Sequence, residues 1–515
     1  MFRIQSGDII GIDGRVVEIE VDLIHELKNF VISGLPGPGI REARDRIQSA
    51  IVNCNYKFPR ESRIVVNLAP ASSEKDGAAF DLPIALGILA SFEQIEFEGD
   101  GWGCIGELAL DGRVRPVPGT IGIVASLLDR GVKRILVPID SLGEARAVAG
   151  DRVEGVGSLS RAVKVVTGQA SGEPLQPTSN RGGDREGGRP RGPDFHDVLG
   201  QRSVKRALAI AAAGHHNVLL VGPPGAGKSF LARRLPSLLP PLETREALEV
   251  TRVLSAAGLH HGQGLATDRP YRAPHHTVSW AGLVGGGSIP RPGEITLAHR
   301  GVLFLDELTE FPRRCLEALR EPLEEGQISI ARAGASLTFP ARFILVAAMN
   351  PCPCGYATHP RRRCRCGAER IHRYLEGLSG PLLDRIDLRL AVDGMAGETL
   401  LSARKEQDDT PSLRAAVERA GAFRRARGQT FSNRAIDWES RERWAPLSPR
   451  AHRLLAASAA ELDLSTRGIT RVLRLARTCA DLEERRILEE RHILEALEFR
   501  APRGGEGFGG WLAGR

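Results

Sequence analysis

The chain has 515 residues, with 70 basic and 63 acidic side chains and a net charge of +7. This length predicts two to four domains, and a hydrophobic content of 42% with 26% charged residues excludes wholesale disorder. The longest apolar stretch, 82–92, is far shorter than the roughly 20 residues that cross a bilayer, and the first residues lack the pattern of a secretory signal. We therefore expect a cytoplasmic protein without membrane contacts. The mild positive charge permits nucleic-acid binding but does not establish it.

The first 167 residues alternate between strand-like and helix-like segments. Runs rich in β-branched and apolar residues predict strands at 14–23, 29–34, 62–68 and 134–138. Stretches with helix-like patterning predict helices at 40–51 and 80–92. This alternation predicts an α/β or α+β domain over 1–167.

A compositional boundary follows at 168–194. This segment is rich in Gly, Pro, Arg and Ser and almost free of large apolar side chains. It cannot bury enough surface to offset its ordering entropy, so we expect a flexible linker rather than an ordered surface loop. The last residues, 501–515, predict a frayed or disordered tail.

A phosphate-binding motif follows the linker. The apolar run 217–221 leads into the pattern GxxxxGK[ST] and then into a helical segment, 228–239, which is the context that this motif requires. Backbone N–H groups of such a loop surround phosphate, while Lys228 contacts the β- and γ-phosphates and Ser229 ligates Mg²⁺. The predicted nucleotide-binding residues are Gly222, Pro223, Pro224, Gly225, Ala226, Gly227, Lys228 and Ser229.

Polar side chains end the next two strand-like runs. Asp306 follows the run 302–305 and can hold Mg²⁺ with its water shell, and Glu307 can polarise the attacking water. Adjacent acids can also simply mark the start of a helix. Asn350 ends the run 343–349, where it can orient that water. Together these residues predict a magnesium-dependent nucleoside triphosphate hydrolase.

Four of the eight cysteines lie within 15 residues of one another. Four thiolates in an intracellular protein suit a tetrahedral structural Zn²⁺ site, formed by Cys352, Cys354, Cys364 and Cys366. The alternatives are a reducible thiol pair, or partial ligation completed by His359 or His372. The other four are expected to be small buried apolar residues, at Cys54, Cys104, Cys315 and Cys479.

Arginines are interleaved with the clustered cysteines, at Arg361, Arg362, Arg363, Arg365, Arg370 and Arg373. A zinc-pinned basic loop is a plausible contact for the phosphate backbone of DNA. A solvated face or a contact between subunits would use the same residues. Beyond 396 the pattern is mainly helical, with segments at 413–426, 449–462, 469–483 and 490–499.

These motifs resemble the AAA+ ATPases of the magnesium-chelatase-like branch and, within it, the ComM/YifB family. The resemblance rests on the stretches 198–229, 271–311, 347–355, 379–388 and 465–482. It implies an α/β fold with a P-loop AAA+ core at 195–395, a cysteine-rich insert at 352–366 and a helical lid at 396–500. It also implies a homo-hexamer, assembled with ATP and Mg²⁺, that drives branch migration on duplex or branched DNA without sequence preference.

The resemblance also assigns roles to single residues. Asn350 is similar to the sensor-1 residue, Arg385 to the arginine finger that reaches a neighbouring subunit, and Arg467 to the sensor-2 arginine, with Arg471 as its competitor. The segment 328–339 is predicted to form a hairpin with Arg332 near its tip. This hairpin resembles the pore hairpin that contacts DNA in the family. The glycine-rich stretch 279–293 resembles a mobile insert that faces the pore. His275, His276 and His299 are expected to be structural hydrogen-bonding residues rather than metal ligands.

The N-terminal segments 73–86, 112–119 and 134–138 resemble the Lon protease domain. Ala79 stands where that domain has its nucleophilic serine, and no lysine follows Gly119 at 120–128. We therefore expect residues 1–167 to lack peptidase activity and to serve in assembly or DNA engagement. Of the functions considered, a DNA motor is favoured over a chelatase-type remodeller of a protein partner, and Ala79 argues against a protease.

Overall fold

The computed structural model describes residues 1–24, 29–71, 74–75, 77–174, 193–260, 264–287, 290–332, 335–359, 362–392 and 409–499. Most of the predicted linker 168–194 and all of the predicted tail 501–515 lie outside these residues. In the described part, no helix is long and apolar enough to cross a membrane.

A mixed seven-stranded sheet dominates the N-terminal third. The strands of this third are β1 (Phe2–Ile10), β2 (Asp13–Ile24), β3 (Asn29–Ser33), β4 (Arg63–Ala69), β5 (Trp102–Cys104), β6 (Glu107–Leu108), β7 (Val114–Arg115), β8 (Arg134–Pro138) and β9 (Val153–Val156). Of these, β6 and β7 pair with each other outside the seven-stranded sheet. The helices are α1 (Pro38–Arg41), α2 (Ala43–Asn53), α3 (Asp81–Ser91), α4 (Thr120–Asp129), α5 (Leu142–Ala149) and α6 (Leu159–Val166). The sheet order is β3-β4-β2-β1-β5-β8-β9, antiparallel where β2 meets β1 and β4 and parallel elsewhere. The four strands predicted here are present, as is the helix predicted at 80–92, but the helix predicted at 40–51 is interrupted at Glu42, between α1 and α2.

The phosphate motif belongs to a second, five-stranded sheet. The strands of this half are β10 (Val218–Val221), β11 (Tyr271–Arg272), β12 (Gly285–Gly286), β13 (Arg291–Pro292), β14 (Val302–Leu305), β15 (Gln327–Arg332), β16 (Ala335–Pro340), β17 (Ile344–Met349) and β18 (Leu388–Ala391). The sheet order is β11-β14-β17-β10-β18, and every described pairing in it is parallel. Because β10 lies between β17 and β18, the loop after it is at a topological switch point, where open α/β sheets bind ligands.

Helices cover both faces of this parallel sheet. They are α7 (Arg202–Gly214), α8 (Lys228–Ala232), α9 (Leu235–Leu238), α10 (Thr244–Ala256), α11 (Trp280–Val284), α12 (Glu294–Leu297), α13 (Arg313–Glu317), α14 (Arg320–Glu325), α15 (Ala368–Leu375), α16 (Gly380–Leu383), α17 (Thr410–Ala426), α18 (Arg441–Trp444), α19 (Pro449–Glu461), α20 (Thr466–Leu482) and α21 (Glu490–Glu498). Successive side chains of a strand point to opposite faces. Val218 and Leu220 accordingly pack with α7 and α20, whereas Leu219 and Val221 pack with the hairpin side.

A second predicted helix is also divided. The segment 228–239 forms α8 and α9 rather than one continuous helix. Pro236 lies at the start of α9, and a proline inside a helix lacks the N–H that would bond four residues back. The predicted hairpin is confirmed as β15 and β16, with Ile328 opposite Phe339.

The N-terminal third packs against α10 and the hairpin. The Gly119 N–H donates to the Ser255 carbonyl oxygen at 2.9 Å, and Arg252 pairs with Asp13 at 2.5 Å. Ile12, in the turn between β1 and β2, packs against the same apolar cluster as the root of the hairpin. The N-terminal third therefore contacts the rest of the described chain through both polar and apolar groups.

Candidate nucleotide site and cysteine cluster

The loop between β10 and α8 borders a cavity of about 400 Å³. Gly225 and Gly227 have φ angles of 79° and 86°, a region that favours glycine. At Gly222 the constraint is steric, because a Cβ would lie 2.1 Å from the Val392 carbonyl oxygen. The cavity is lined by Pro224, Gly225, Ala226, Gly227, Lys228, Ser229, Phe230, Asp306, Glu307, Met349 and Asn350.

Lys228 lies at the base of this cavity and is only 8% exposed. Its Nζ donates to the carbonyl oxygens of Gly222 at 2.6 Å and Pro223 at 3.0 Å. It also donates to Asn350 Oδ1 at 3.1 Å, so the motif lysine and the predicted sensor-1 residue meet. Burial lowers the pKa of Lys228, while Asp306 and Glu307 oppose that shift. An anionic phosphate in the cavity would stabilise the charged ammonium group.

Two oxygen donors lie together beside Lys228. Ser229 Oγ donates to Asp306 Oδ2 at 2.5 Å. Adjacent ligands of an octahedral Mg²⁺ lie roughly 2.9 Å apart, given Mg–O distances near 2.1 Å. A shift of a few tenths of an ångström therefore converts this hydrogen-bonded pair into two magnesium ligands. The residues predicted to hold Mg²⁺ fit such an ion in both donor type and spacing.

Glu307 follows Asp306 with a left-handed backbone, at a φ of 52°. A non-glycine residue in this region is strained, and such strain is common at functional sites. The Glu307 N–H donates to Asp306 Oδ1 at 3.0 Å. The Glu307 carboxylate contacts His276 Nδ1 at 3.2 Å. The sequence did not indicate this contact, since the two residues are 31 positions apart and follow two neighbouring strands.

Arg385 and Arg467 lie outside the phosphate cavity. Both line a larger cleft of about 1410 Å³, together with Arg471, rather than the phosphate cavity of the same chain. Arg385 is 10% exposed, pairs with Glu324 and donates to the Pro381 carbonyl oxygen at 2.5 Å. Its Nε is buried without a hydrogen-bond partner. The predicted finger and sensor-2 arginines are thus brought together with each other, but not with Lys228.

The four clustered cysteines converge on one point. Their Sγ atoms all lie within 4.8 Å of one another. The Cys352–Cys354, Cys352–Cys364 and Cys354–Cys364 Sγ separations are 3.3, 3.7 and 3.6 Å. A tetrahedral Zn²⁺ with Zn–S bonds near 2.3 Å requires sulfur separations of about 3.8 Å. The cluster therefore has the donor set and the spacing of a structural zinc site.

The pKa values differ among the four thiols, and the two nearby histidines have partners of their own. Burial raises the pKa of Cys354, but hydrogen bonds from the Tyr356 and Arg365 backbone N–H groups and contacts with neighbouring thiols outweigh it and lower that pKa to about 6. The pKa values of Cys352 and Cys366 are raised instead, mainly by burial. His359 Nδ1 accepts from the Arg362 N–H at 2.9 Å, and His372 pairs with Glu376 at 3.2 Å. Of the scattered cysteines, three are buried as expected, but Cys54 at the end of α2 is half-buried.

The cysteine loop packs directly on the phosphate cavity. A Cβ at Gly355 would lie 2.6 Å from the Pro224 ring, so only glycine permits this approach. The Tyr374 hydroxyl, on α15, donates to the Asn350 carbonyl oxygen at 3.3 Å. The insert thereby supports the backbone of the predicted sensor-1 residue. Nothing in the sequence pattern indicated the role of Tyr374.

The predicted DNA contacts are only partly described. Arg361 and the side chain of Arg332 lie outside the described residues. Arg362 and Arg363 are exposed, and Arg362 donates to the Tyr356 hydroxyl at 2.8 Å. In the N-terminal third, Ala79 is buried at 6% exposure within the core.

Comparison with known proteins agrees with this architecture. The family models “Subunit ChlI of Mg-chelatase”, “Magnesium chelatase, subunit ChlI” and “Magnesium chelatase, subunit ChlI C-terminal” match residues 19–141, 194–400 and 407–500. The chain is 40% identical over 497 residues to the protein YifB of Escherichia coli, covering 96% of this chain and 95% of YifB. It is 39% identical over 493 residues to the competence protein ComM of Haemophilus influenzae, covering 96% of both chains. This chain belongs to the ComM/YifB family.

The family resemblance expected from the sequence is confirmed, as is an α/β fold with a P-loop AAA+ core. The magnesium-chelatase 38 kDa subunit of Cereibacter sphaeroides is 28% identical over 174 residues, which cover 30% of this chain and 52% of that subunit. The ComM/YifB family is thus magnesium-chelatase-like, although its relationship to this chelatase subunit covers a limited part of the chain.

Proposed function

We propose that this protein is a cytoplasmic, hexameric, ATP-driven DNA motor that promotes branch migration in natural transformation and homologous recombination. The observation that carries the proposal is the cavity in which Lys228, Ser229, Asp306 and Glu307 meet at the carboxyl ends of parallel strands. Similarity to a competence protein over 96% of the chain supports the link to transformation.

In this proposal, each cavity residue has one task. The loop and Lys228 bind the β- and γ-phosphates, and Ser229 and Asp306 hold Mg²⁺, which neutralises phosphate charge when bound. Glu307 polarises the attacking water. Asn350, held by Lys228, orients that water.

The arginine cleft explains why hydrolysis would require assembly. Because Arg385 and Arg467 line a cleft apart from the phosphate cavity of their own chain, they suit the γ-phosphate of a neighbouring subunit. Arg385 would exchange Glu324 for that phosphate. An arginine supplied by a neighbour contributes about 10³–10⁵ in rate in related phosphoryl-transfer enzymes.

DNA contacts are assigned to the hairpin and to the cysteine loop. Arg332 near the hairpin tip would face the pore, and Arg361, Arg362 and Arg363 would contact phosphates from a loop held by Zn²⁺ at the four cysteines. Such contacts carry no base information, so binding should be independent of sequence.

A chelatase-type remodeller of a protein partner is the second candidate, favoured by the ChlI family models. ATPase assays with and without duplex DNA, combined with binding at several salt concentrations, distinguish the two. A DNA motor predicts ATPase stimulation by DNA and a log–log salt slope near −0.9 per phosphate contacted. An ATPase that neither binds nor responds to DNA would favour the remodeller.

A further inference from the structure

His276 and Glu307 reach the same edge of the parallel sheet from neighbouring strands. β11 pairs with β14 so that Arg272 lies opposite Leu303. His276 lies four residues beyond the end of β11, and Glu307 lies two residues beyond the end of β14. Their side chains meet there, with His276 Nδ1 3.2 Å from Glu307 Oε2.

The backbone around His276 is fixed by its own turn. The Val278 N–H donates to the His275 carbonyl oxygen at 2.9 Å, and the Thr277 N–H donates to His275 Nδ1 at 3.3 Å. The His276 ring lies against the His275 ring at a tilt of 36°, with centroids 4.0 Å apart, and makes an edge-on contact with Phe311. The imidazole is therefore held in place independently of Glu307.

The contact between His276 and Glu307 adds little to the stability of the folded chain. The His276 and Glu307 side chains are 29% and 56% exposed, and ion pairs exposed to this degree add little to stability. Glu307, by contrast, needs an orienting partner, because its left-handed backbone fixes the start of the side chain but not its torsions. A carboxylate that polarises water must be held in one orientation to be effective.

We propose that His276 is a positioning residue for Glu307: its imidazole holds the carboxylate in the phosphate cavity so that one oxygen remains available to the attacking water. This inference rests on the proposed function, because it presupposes that the cavity hydrolyses ATP. It assigns to His276 a role beyond the purely structural one expected from the sequence.

The test compares full-length variants in steady-state ATP hydrolysis. His276→Ala should lower kcat by about tenfold or more, with KM within about twofold, because ATP binding does not involve the imidazole. His276→Asn places an amide N–H near the position of Nδ1 and should restore kcat to within about threefold of the wild type. The matched control is His452→Asn, the same substitution at an exposed histidine of α19, which should leave kcat unchanged.

Three results would overturn the inference: a His276→Ala kcat within twofold of wild type, a loss that His276→Asn does not restore, or an equal loss in His452→Asn. Glu307→Gln separates this inference from the proposed function. Wild-type hydrolysis that Glu307→Gln abolishes and His276→Ala retains would reject the role of His276 alone. Absence of hydrolysis in the wild type would reject both.

Discussion

At the scale of single residues, we expect Lys228 and Glu307 to act on different steps. Lys228 should act on ATP binding, and Glu307 on ATP turnover. Glu307→Gln keeps the shape of the side chain but removes the carboxylate charge, so we expect near-normal ATP binding and turnover slower by about 10²-fold or more. Lys228→Ala removes the cation from the base of the cavity, so it should weaken nucleotide binding itself. Equilibrium binding of a fluorescent ATP analogue and phosphate release measure the two effects. A Glu307→Gln variant that hydrolyses ATP at the wild-type rate would contradict this assignment.

Arg385 provides a test of assembly at the same scale. Arg385→Ala should bind ATP normally and lose turnover by about 10³-fold, because the arginine would act on the phosphate of a neighbour. Mixing Arg385→Ala with Lys228→Ala subunits should restore part of the activity, since some interfaces combine an intact cavity with an intact arginine. Arg113→Ala, at an exposed N-terminal arginine that pairs only locally with Asp111, is the control. Unchanged turnover in Arg385→Ala would remove the finger assignment.

Glu144 makes stability depend on pH. It is 3% exposed, and its burial raises its pKa to about 7. Hydrogen bonds from Ser255 and Ser141 lower the pKa, but by less than burial raises it. Between its ordinary value of 4.5 and about 7, the folded chain keeps a proton that the unfolded chain releases, so stability falls as pH rises through this window. Glu144→Gln should therefore raise the unfolding temperature at pH 8 by a few degrees and change it little below pH 4.5.

Thermal unfolding of wild type and Glu144→Gln across this pH range measures the effect. Glu42→Gln, at an exposed glutamate at the start of α2, is the matched control and should follow the wild type. Equal unfolding temperatures for Glu144→Gln and wild type at pH 8 would show that the buried carboxylate is not destabilising.

At the scale of structural elements, the cysteine loop should depend on its metal. Purified protein should contain about one Zn²⁺ per chain, and Cys364→Ser should lose most of it because a tetrahedral structural site uses all four ligands. Since Gly355 packs on Pro224, zinc loss should also weaken ATP binding. Cys54→Ser, which lies outside the cluster, should retain both. Less than about 0.5 Zn²⁺ per chain after a chelator wash would contradict the site.

The elements that could be predicted best from the sequence were those with a strong local pattern of apolar and turn residues. The phosphate loop, the strand before Asp306 and the hairpin of β15 and β16 were predicted because motif, apolar run and turn residues coincide there. β1, β11 and β18 were not predicted. β11 is two residues long, and β1 contains Ser6, Gly7 and Asp8, which weaken the strand pattern. Such strands form because neighbouring strands supply their hydrogen bonds. Which strands become neighbours is decided by the tertiary structure and cannot be predicted from the local sequence.

In the candidate site, too, some residues could be predicted from the sequence and some contacts could not. Lys228, Ser229 and the four cysteines follow from spacing, because their chemistry requires residues close together in sequence. Asp306 follows from its place at the end of an apolar, strand-like run. The His276–Glu307 contact depends on the lateral order of strands, and the Tyr374–Asn350 contact depends on how α15 packs. The grouping of Arg385 with Arg467 away from Lys228 likewise required the packing of the lid.

At the scale of the whole molecule, the N-terminal third contacts the hairpin of β15 and β16 and helix α10. Its turn at Ile12 packs at the root of the hairpin, and Asp13 pairs with Arg252 on α10. Ala79 contributes only a buried methyl group where a nucleophile would be needed. We expect no peptidase activity from the pure protein with ATP, assayed with unfolded casein. ATP-stimulated proteolysis would overturn this expectation.

In the proposed function, ATP hydrolysis in the Lys228–Glu307 cavity moves branch points along DNA. A branch-migration assay on a synthetic Holliday junction tests this activity, with wild type and Glu307→Gln compared at the same ATP and Mg²⁺ concentrations. We predict that the wild type converts the junction into its separated duplex arms in an ATP-dependent manner, and that Glu307→Gln binds the junction without converting it. An active ATPase that binds DNA but leaves the junction intact would contradict the claim.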